Sequence, residues 1–246
     1  MPQNIIKLAH VYKKYRGQKK YALNGINLDL VDGDFYGLLG PNGSGKTTAI
    51  SLIVGLIKQN KGDVLILGKK PNIQKNIIGY VPQEVALYET FTLLENMYFF
   101  AHLYKLPRKI IKEQVEFALT ISQLNSVAHN KVYSFSGGMK RRANIAIALI
   151  HKPKVLILDE PTVGVDPQSR NLIFNNLKQI NKVGTTILYS THYLEEAELL
   201  CSKIGIIDSG VITKEGTLKQ LLHENSGCKN LGQLFLKVTG TDVRDT

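Results

Sequence analysis

The residues equipped for chemistry begin at Gly40. Gly40-Pro41-Asn42-Gly43-Ser44-Gly45-Lys46-Thr47, followed by Thr48, fits G-x-x-x-x-G-K-[ST]. In such a loop backbone N–H groups wrap a polyphosphate, the lysine reaches its terminal phosphates, and the threonine hydroxyl binds Mg²⁺. Glycines are required where a side chain would block the backbone's approach. Far downstream, Asp159-Glu160 offers two carboxylates with different work. Asp159 can hold Mg²⁺ through water together with Thr47, and Glu160 can polarise the water that attacks a γ-phosphorus. Ser136-Gly137-Gly138 is a second candidate anion site, a hydroxyl and glycine N–H groups opening a helix. One chain needs only one phosphate loop, so a second such terminus makes sense if two chains each contribute half of a pocket.

These residues need elements to hold them. Phe35 to Leu39 reads as a short buried strand before the loop, and Thr47 to Leu56 as a helix whose positive end faces the phosphates. Before them, Ile5 to Val11 and Tyr21 to Leu30 alternate as antiparallel strands, with a turn at Asp32-Gly33-Asp34. On that small sheet Tyr15, 25 residues before Gly40, is placed to stack on a purine; Tyr12 and Tyr21 are rival candidates, and an ordinary strand tyrosine is the plain alternative.

Two further strands are expected, Gly62 to Gly68 and Ile77 to Pro82, with Gln83 just beyond the second. The period then becomes helical. Thr92 and Glu95 have capping-box spacing before Asn96 to Lys105, and Arg108 to Ser122 follows Pro107. Val155 to Leu158 reads as a strand buried on both faces, running into Asp159. Asp166 and Pro167 open a helix that Gly184 stops, and Thr186 to Ser190 is a strand with His192 past its end. A hairpin turns at Ser209-Gly210, and Thr217 caps a helix over Leu218 to His223. Strands alternating with helices predict an α/β fold with a mainly parallel sheet, an N-terminal antiparallel part and a helical insertion. Gly40, Gln83, Asp159 and His192 then all fall at carboxyl ends of strands.

A length of 246 residues suits one domain with an insertion, and 43% apolar with 21% charged residues is ordinary for a globular protein. There is no run of eighteen apolar residues, and Met1-Pro2-Gln3-Asn4 opens no signal peptide, so a cytoplasmic protein is expected. Cys201 and Cys228 are far apart and form no C-x-x-C, which argues against a disulfide framework or structural zinc. The 31 basic against 20 acidic residues leave a net charge of +11, compatible with nucleic acid, an anionic membrane face or nucleotides as partners. Its densest clusters, Lys13-Lys14-Tyr15-Arg16 with Lys19-Lys20, and Lys140-Arg141-Arg142, are short and read first as solvated faces.

Taken together, the motifs resemble the ATP-binding cassette (ABC) family, the ATPase subunits of ABC transporters. Gly40 to Thr47 is similar to its Walker A loop, Gln83 to its Q-loop, and Phe135-Ser136-Gly137-Gly138-Met139 to its signature. Val155 to Glu160 is similar to Walker B with the catalytic glutamate, Val163-Gly164-Val165-Asp166 to the D-loop, and His192 to the switch histidine. Phe135 and Met139 depart from the signature's usual leucine and glutamine; the serine and both glycines are kept. Met139 to Arg142, Gly164 to Arg170, Leu234 to Leu236 and Thr239-Gly240 resemble the drug-resistance branch, whose members mostly export.

The resemblance implies ATP and Mg²⁺ as ligands. It also implies a single cassette over residues 1–246, with a nucleotide-binding core over 1–83 and 151–222, a helical subdomain over 84–150 and a tail over 223–246. Two cassettes, identical ones in the simplest case, would close head to tail with ATP between the Walker A of one and the signature of the other. Lys46 would neutralise β and γ oxygens, Thr47, Asp159 and Gln83 would serve the metal, Glu160 would position water, and His192 would hydrogen-bond the γ-phosphate. A separate integral-membrane permease would hold the protein at the inner face of the cell membrane, its cytoplasmic helix meeting Leu87, Tyr88 and Phe91. Nucleic acid is not expected: cassettes that act on it or on ribosomes usually carry two cassettes or a long coiled-coil insertion. A regulatory subunit that binds ATP without turnover is the other rival, and Glu160 with His192 speaks against it.

Overall fold

A computed structural model describes residues 4–240. The N-terminal Met1-Pro2-Gln3 and the last six residues of the tail expected over 223–246 lie outside the described residues. In chain order the strands are β1 (Asn4–Lys13), β2 (Leu23–Val31), β3 (Phe35–Leu39), β4 (Lys61–Ile66), β5 (Ile78–Val81), β6 (Val155–Asp159), β7 (Thr186–Thr191), β8 (Lys203–Asp208) and β9 (Val211–Gly216). The α-helices are α1 (Lys46–Ile53), α2 (Leu93–Leu103), α3 (Arg108–Ile121), α4 (Gly137–Leu149), α5 (Pro167–Lys182), α6 (Leu194–Leu200), α7 (Leu218–His223) and α8 (Leu231–Thr239). The chain divides into two compact units, one containing residues up to Lys75 and from Thr186 onward, the other Asn76–Thr185.

In the first unit β2, β1 and β4 form an antiparallel sheet, while β3 pairs in parallel with β7 on one side and β8 on the other. All five residues of β3 are buried, which is why its sequence is apolar without alternation. Leu39, Ile204 and Ile206 form a core with Ala197 of α6, Leu221 of α7 and Leu231 and Leu234 of α8. The phosphate-loop helix is shorter than its apolar pattern suggests. Gly55 turns left-handed at φ 74°, so α1 stops at Ile53 instead of reaching Leu56. Tyr21 also lies outside β2, packed edge-on against Tyr12 with ring centroids 5.9 Å apart. Two short helices, α6 and α8, carry no expectation from the sequence.

In the second unit β5 and β6 pair in parallel, Val81 opposite Leu158. The helices α2, α3 and α4 share a core of Leu93, Met97, Val115, Ala118, Ala143 and Ile147. On α3 the buried Ile111, Gln114, Val115, Ala118 and Leu119 recur at helical spacing and leave the charged face outside. Phe135 belongs to this core and Met139 packs against it. Both departures from the usual signature are therefore packing residues.

The capping box at α2 is present, with Thr92 accepting from the Glu95 amide at 3.1 Å and Glu95 accepting from the Thr92 amide at 2.7 Å. One turn further, the fully buried Asn96 accepts from Tyr88 N–H at 2.9 Å and donates to the carbonyls of Tyr88 and Thr92. It thereby fixes the entry to the exposed aromatic group of Tyr88, Phe91 and Phe99, whose rings lie 5.1 to 5.4 Å from Tyr88. Asn96→Ala leaves the Tyr88 N–H without its acceptor, while the Tyr88 and Thr92 carbonyls keep the N–H groups of Phe91 and residue 96, and is expected to cost about 1–3 kcal/mol, read as a lowered urea midpoint. A native midpoint would mean the loop is held by something else.

Candidate nucleotide site

The Gly40–Thr47 loop leaves the carboxyl end of β3 and turns directly into α1. Lys46 is buried, and its Nζ donates to the carbonyls of Gly40 at 2.7 Å and Pro41 at 3.0 Å, so the loop curls round its own lysine. Gly45 stands at the N-cap of α1 with φ 111° and supplies no side-chain cap, which leaves the first-turn N–H groups to another acceptor. A Cβ at Gly45 would meet the Ala22 carbonyl at 2.7 Å, and one at Gly40 would meet the Ile207 carbonyl at 2.3 Å and Ser44 Oγ at 2.6 Å. Both glycines are demanded by close backbone approach. The buried Ser44 hydroxyl has no hydrogen-bond partner within the protein. A buried orphan hydroxyl beside a ring of backbone donors is what a phosphate oxygen would satisfy. Asn42, Gly43 and Thr47 are exposed on the same turn, and Thr48 lies 3.4 Å from the Tyr15 hydroxyl.

Of the three candidate tyrosines, Tyr15 is thus the one beside the phosphate loop. Tyr12 covers Gly25 and Tyr21 packs on Tyr12. Tyr15 is 37% exposed, with Lys13 Nζ 5.3 Å from its ring centre, so a face remains open to a flat ligand. His192 follows β7, whose last residue pairs with Leu39 at the end of β3, and Gly40 N–H donates to the Thr191 carbonyl at 3.3 Å. The histidine and the phosphate loop therefore leave neighbouring strands at the same level. The His192 ring lies 4.1 Å from that of Tyr193. Four residues after His192, the buried Glu196 accepts from Tyr189 Oη at 2.9 Å and Thr191 Oγ1 at 2.8 Å. Sequence reasoning missed Glu196; the signal was a helical pattern, Leu194 to Leu200, with acids in its first turn.

In the other unit Asp159 ends β6 and is almost wholly buried, and Glu160 is buried next to it at φ 45°. A non-glycine residue there is strained by about 1 kcal/mol or more, a conformation that recurs at functional sites. Burial first, and the Asp159 charge second, push the Tyr80 hydroxyl up to about 12. Gln83 is exposed just beyond β5.

Ser136 is the N-cap of α4, its Oγ accepting from Met139 N–H at 3.2 Å. Gly137 is exposed with open space where a Cβ would stand, whereas a Cβ at Gly138 would sit 2.1 Å from Ser169 Oγ and 3.4 Å from Asp166 Oδ2. Asp166 caps α5 by accepting from Ser169 N–H at 2.9 Å, which with the serine's side-chain bond lowers its carboxyl pKa. The basic triplet after the signature is spent inside the unit. Lys140 pairs with Glu89, buried Arg141 donates to the Pro82 and Gln83 carbonyls, and Arg142 donates to those of Ser122 and Gln123. It is not the solvated face that its composition suggests.

A family model described as ABC transporter matches residues 23–163, and a second, described as an AAA domain, putative AbiEii toxin, matches residues 131–196. The chain belongs to the ABC transporter family and is one of its ATP-hydrolysing cassettes. It is 46% identical over 218 residues to the linearmycin resistance ATP-binding protein LnrL of Bacillus subtilis, covering 87% of this chain and 68% of that one. To a Nod factor export ATP-binding protein I of Rhizobium sp. it is 36% identical, covering 93% and 76%. Among solved structures it is similar to the dimeric cassette MJ0796, at a TM-score of 0.78, 30% identity, and coverage of 87% and 98%; the same cassette is also known bound to ADP and Pi. Parallel strands dominate, beside an antiparallel N-terminal sheet and helices, which is the ABC ATPase fold. Among the described residues no helix is long and apolar enough to cross a membrane.

Proposed function

We propose that two copies of this chain close head to tail around two ATP and drive a separate membrane permease that exports a drug, lipid or other small molecule. The protein then works at the inner face of the cell membrane, held there by the permease through the exposed Tyr88 and Phe91 and the half-buried Leu87. The relatives named for linearmycin resistance and Nod factor export support the outward direction. The observation that carries the split pocket is the start of α4. Ser136 and Gly137 present an exposed helix terminus suited to phosphate, in a chain that already has a complete phosphate loop.

In this reading the loop amides and Ser44 bind the β and γ phosphates, Lys46 neutralises them, and Tyr15 stacks on the base. Thr47 and Asp159, with Gln83, are hard oxygen donors of the kind Mg²⁺ prefers. Once bound, the ion would withdraw charge from the phosphate oxygens. Glu160 orients water and takes its proton as the oxygen bonds to the γ-phosphorus and the bond to the bridging oxygen breaks, leaving ADP and phosphate. His192 donates a hydrogen bond to the γ-phosphate, and Ser136 with Gly137 of the opposing copy closes the other side. Asp166 sits beside that corner. ATP stabilises the closed pair and its cleavage releases it.

The test is complementation. Lys46→Met lacks a working phosphate loop and Ser136→Arg lacks a working signature, so each alone should be nearly inactive. Mixed, they can form one composite site from the intact loop of one and the intact signature of the other, and ATPase activity should reappear. A mixture as silent as its components would overturn the head-to-tail arrangement.

A further inference from the structure

The second unit contains a connection that the hydrolysis chemistry does not require. Arg141 lies on α4 five residues after Ser136, about 7.5 Å along the helix axis. Its side chain is 6% exposed. Nη1 donates to the Pro82 carbonyl at 2.9 Å and Nη2 to the Gln83 carbonyl at 2.5 Å. These are consecutive carbonyls in the segment that follows β5. A planar guanidinium spans two adjacent acceptors at once, whereas a lysine serves them one at a time. Charge-assisted bonds out of water are the stronger kind. The backbone bearing Gln83 therefore cannot shift without breaking both bonds or moving α4.

The residues on either side extend the connection. Lys140 pairs with Glu89 beside the exposed aromatic group. The same strip is joined by backbone bonds, Tyr133 N–H to the Glu89 carbonyl at 3.0 Å and Val132 N–H to the Phe91 carbonyl at 2.9 Å, to the residues that lead into Ser136.

We propose that Arg141 is the positioning residue that ties the Gln83 loop to the signature helix. A displacement of the loop on engaging a chain's own nucleotide then reaches the Ser136 terminus that the chain presents to its partner's nucleotide. This rests on the role given above to Gln83. Its consequence is that the two composite sites are informed of each other through Arg141 within each chain, in addition to the contact between chains.

The experiment is a double-mutant cycle on the full chain, read as kcat for ATP hydrolysis at saturating nucleotide and protein. Arg141→Gln and Gln83→Ala are each expected to lower kcat roughly tenfold. Combined, they should cost little more than either alone, because both cut the same link. Arg141→Lys, which keeps the charge, should fold as the native chain does and show the same non-additivity with a smaller loss. Limited proteolysis without nucleotide supplies the second readout. Cleavage by a glutamate-specific protease at the exposed Glu84 should be roughly tenfold faster in Arg141→Gln.

Losses that multiply in the double variant would overturn the proposal, since a merely structural arginine acts independently of Gln83. Unchanged cleavage at Glu84 would also overturn it. Native turnover in Gln83→Ala alone would instead retire the role of Gln83, and with it the transmission, while the proteolysis result still reports whether Arg141 holds the loop.

Discussion

Glu160→Gln is expected to bind ATP with near-native affinity while turnover falls at least about a hundredfold, and to accumulate as an ATP-bound dimer. The amide matches the carboxylate in shape, so the buried site beside Asp159 and the strained backbone at φ 45° are kept. What is lost is the group that accepts a proton from water, and removing a positioned general base costs on the order of 10²–10⁴-fold. With cleavage blocked, nothing releases the closed pair. Single-turnover hydrolysis and sedimentation in Mg-ATP read the two effects separately. Native turnover would remove Glu160 from its role, and a variant that stays monomeric with ATP bound would sink the clamp.

The second large effect is on binding. Lys46→Met should weaken ATP affinity roughly ten- to hundredfold in a fluorescent-nucleotide titration, the scale of losing charge-assisted hydrogen bonds. Methionine keeps the apolar stem that fills the buried position, so the loop's packing survives. The Gly40 and Pro41 carbonyls that Lys46 now holds lose that donor. The Gly45 conformation and the orphan Ser44 hydroxyl remain, so residual binding through backbone amides is expected. Unchanged affinity would mean that the lysine serves only to fold the loop.

The phosphate loop was legible because its chemistry is local. In the proposed reading glycines, lysine and threonine serve one ligand within eight residues, and the strand and helix flanking them announce themselves by pattern. The caps at Thr92, Ser136, Asp166 and Thr217 were legible for the same reason, each a side chain reaching three residues along. The missed helices differ: α8 carries such a cap, Asn230 accepting from Gln233 N–H at 2.9 Å, which went unread, whereas α6 has none. Tyr193 gives α6 no side-chain cap, and α8 is a nine-residue helix with Gly232 in its first turn. The partners of Arg141 were beyond sequence reasoning altogether, lying 58 and 59 residues away. A run of three cations read as a wet surface, yet Arg141 is buried and all three point to partners within the unit. The left-handed backbone of Glu160 was equally hidden, since glutamate before Pro161 gives no reason to expect it.

The absence of room at Gly138 has a mechanical corollary. A single methyl group there would wedge the start of α4 away from Ser169, and so from the turn that Asp166 caps. Two motifs that read as separate words in the chain are thus fused into one rigid corner. If Ser136 takes a phosphate as proposed, a shift of the start of α4 would press on the turn that Asp166 caps, and so on α5.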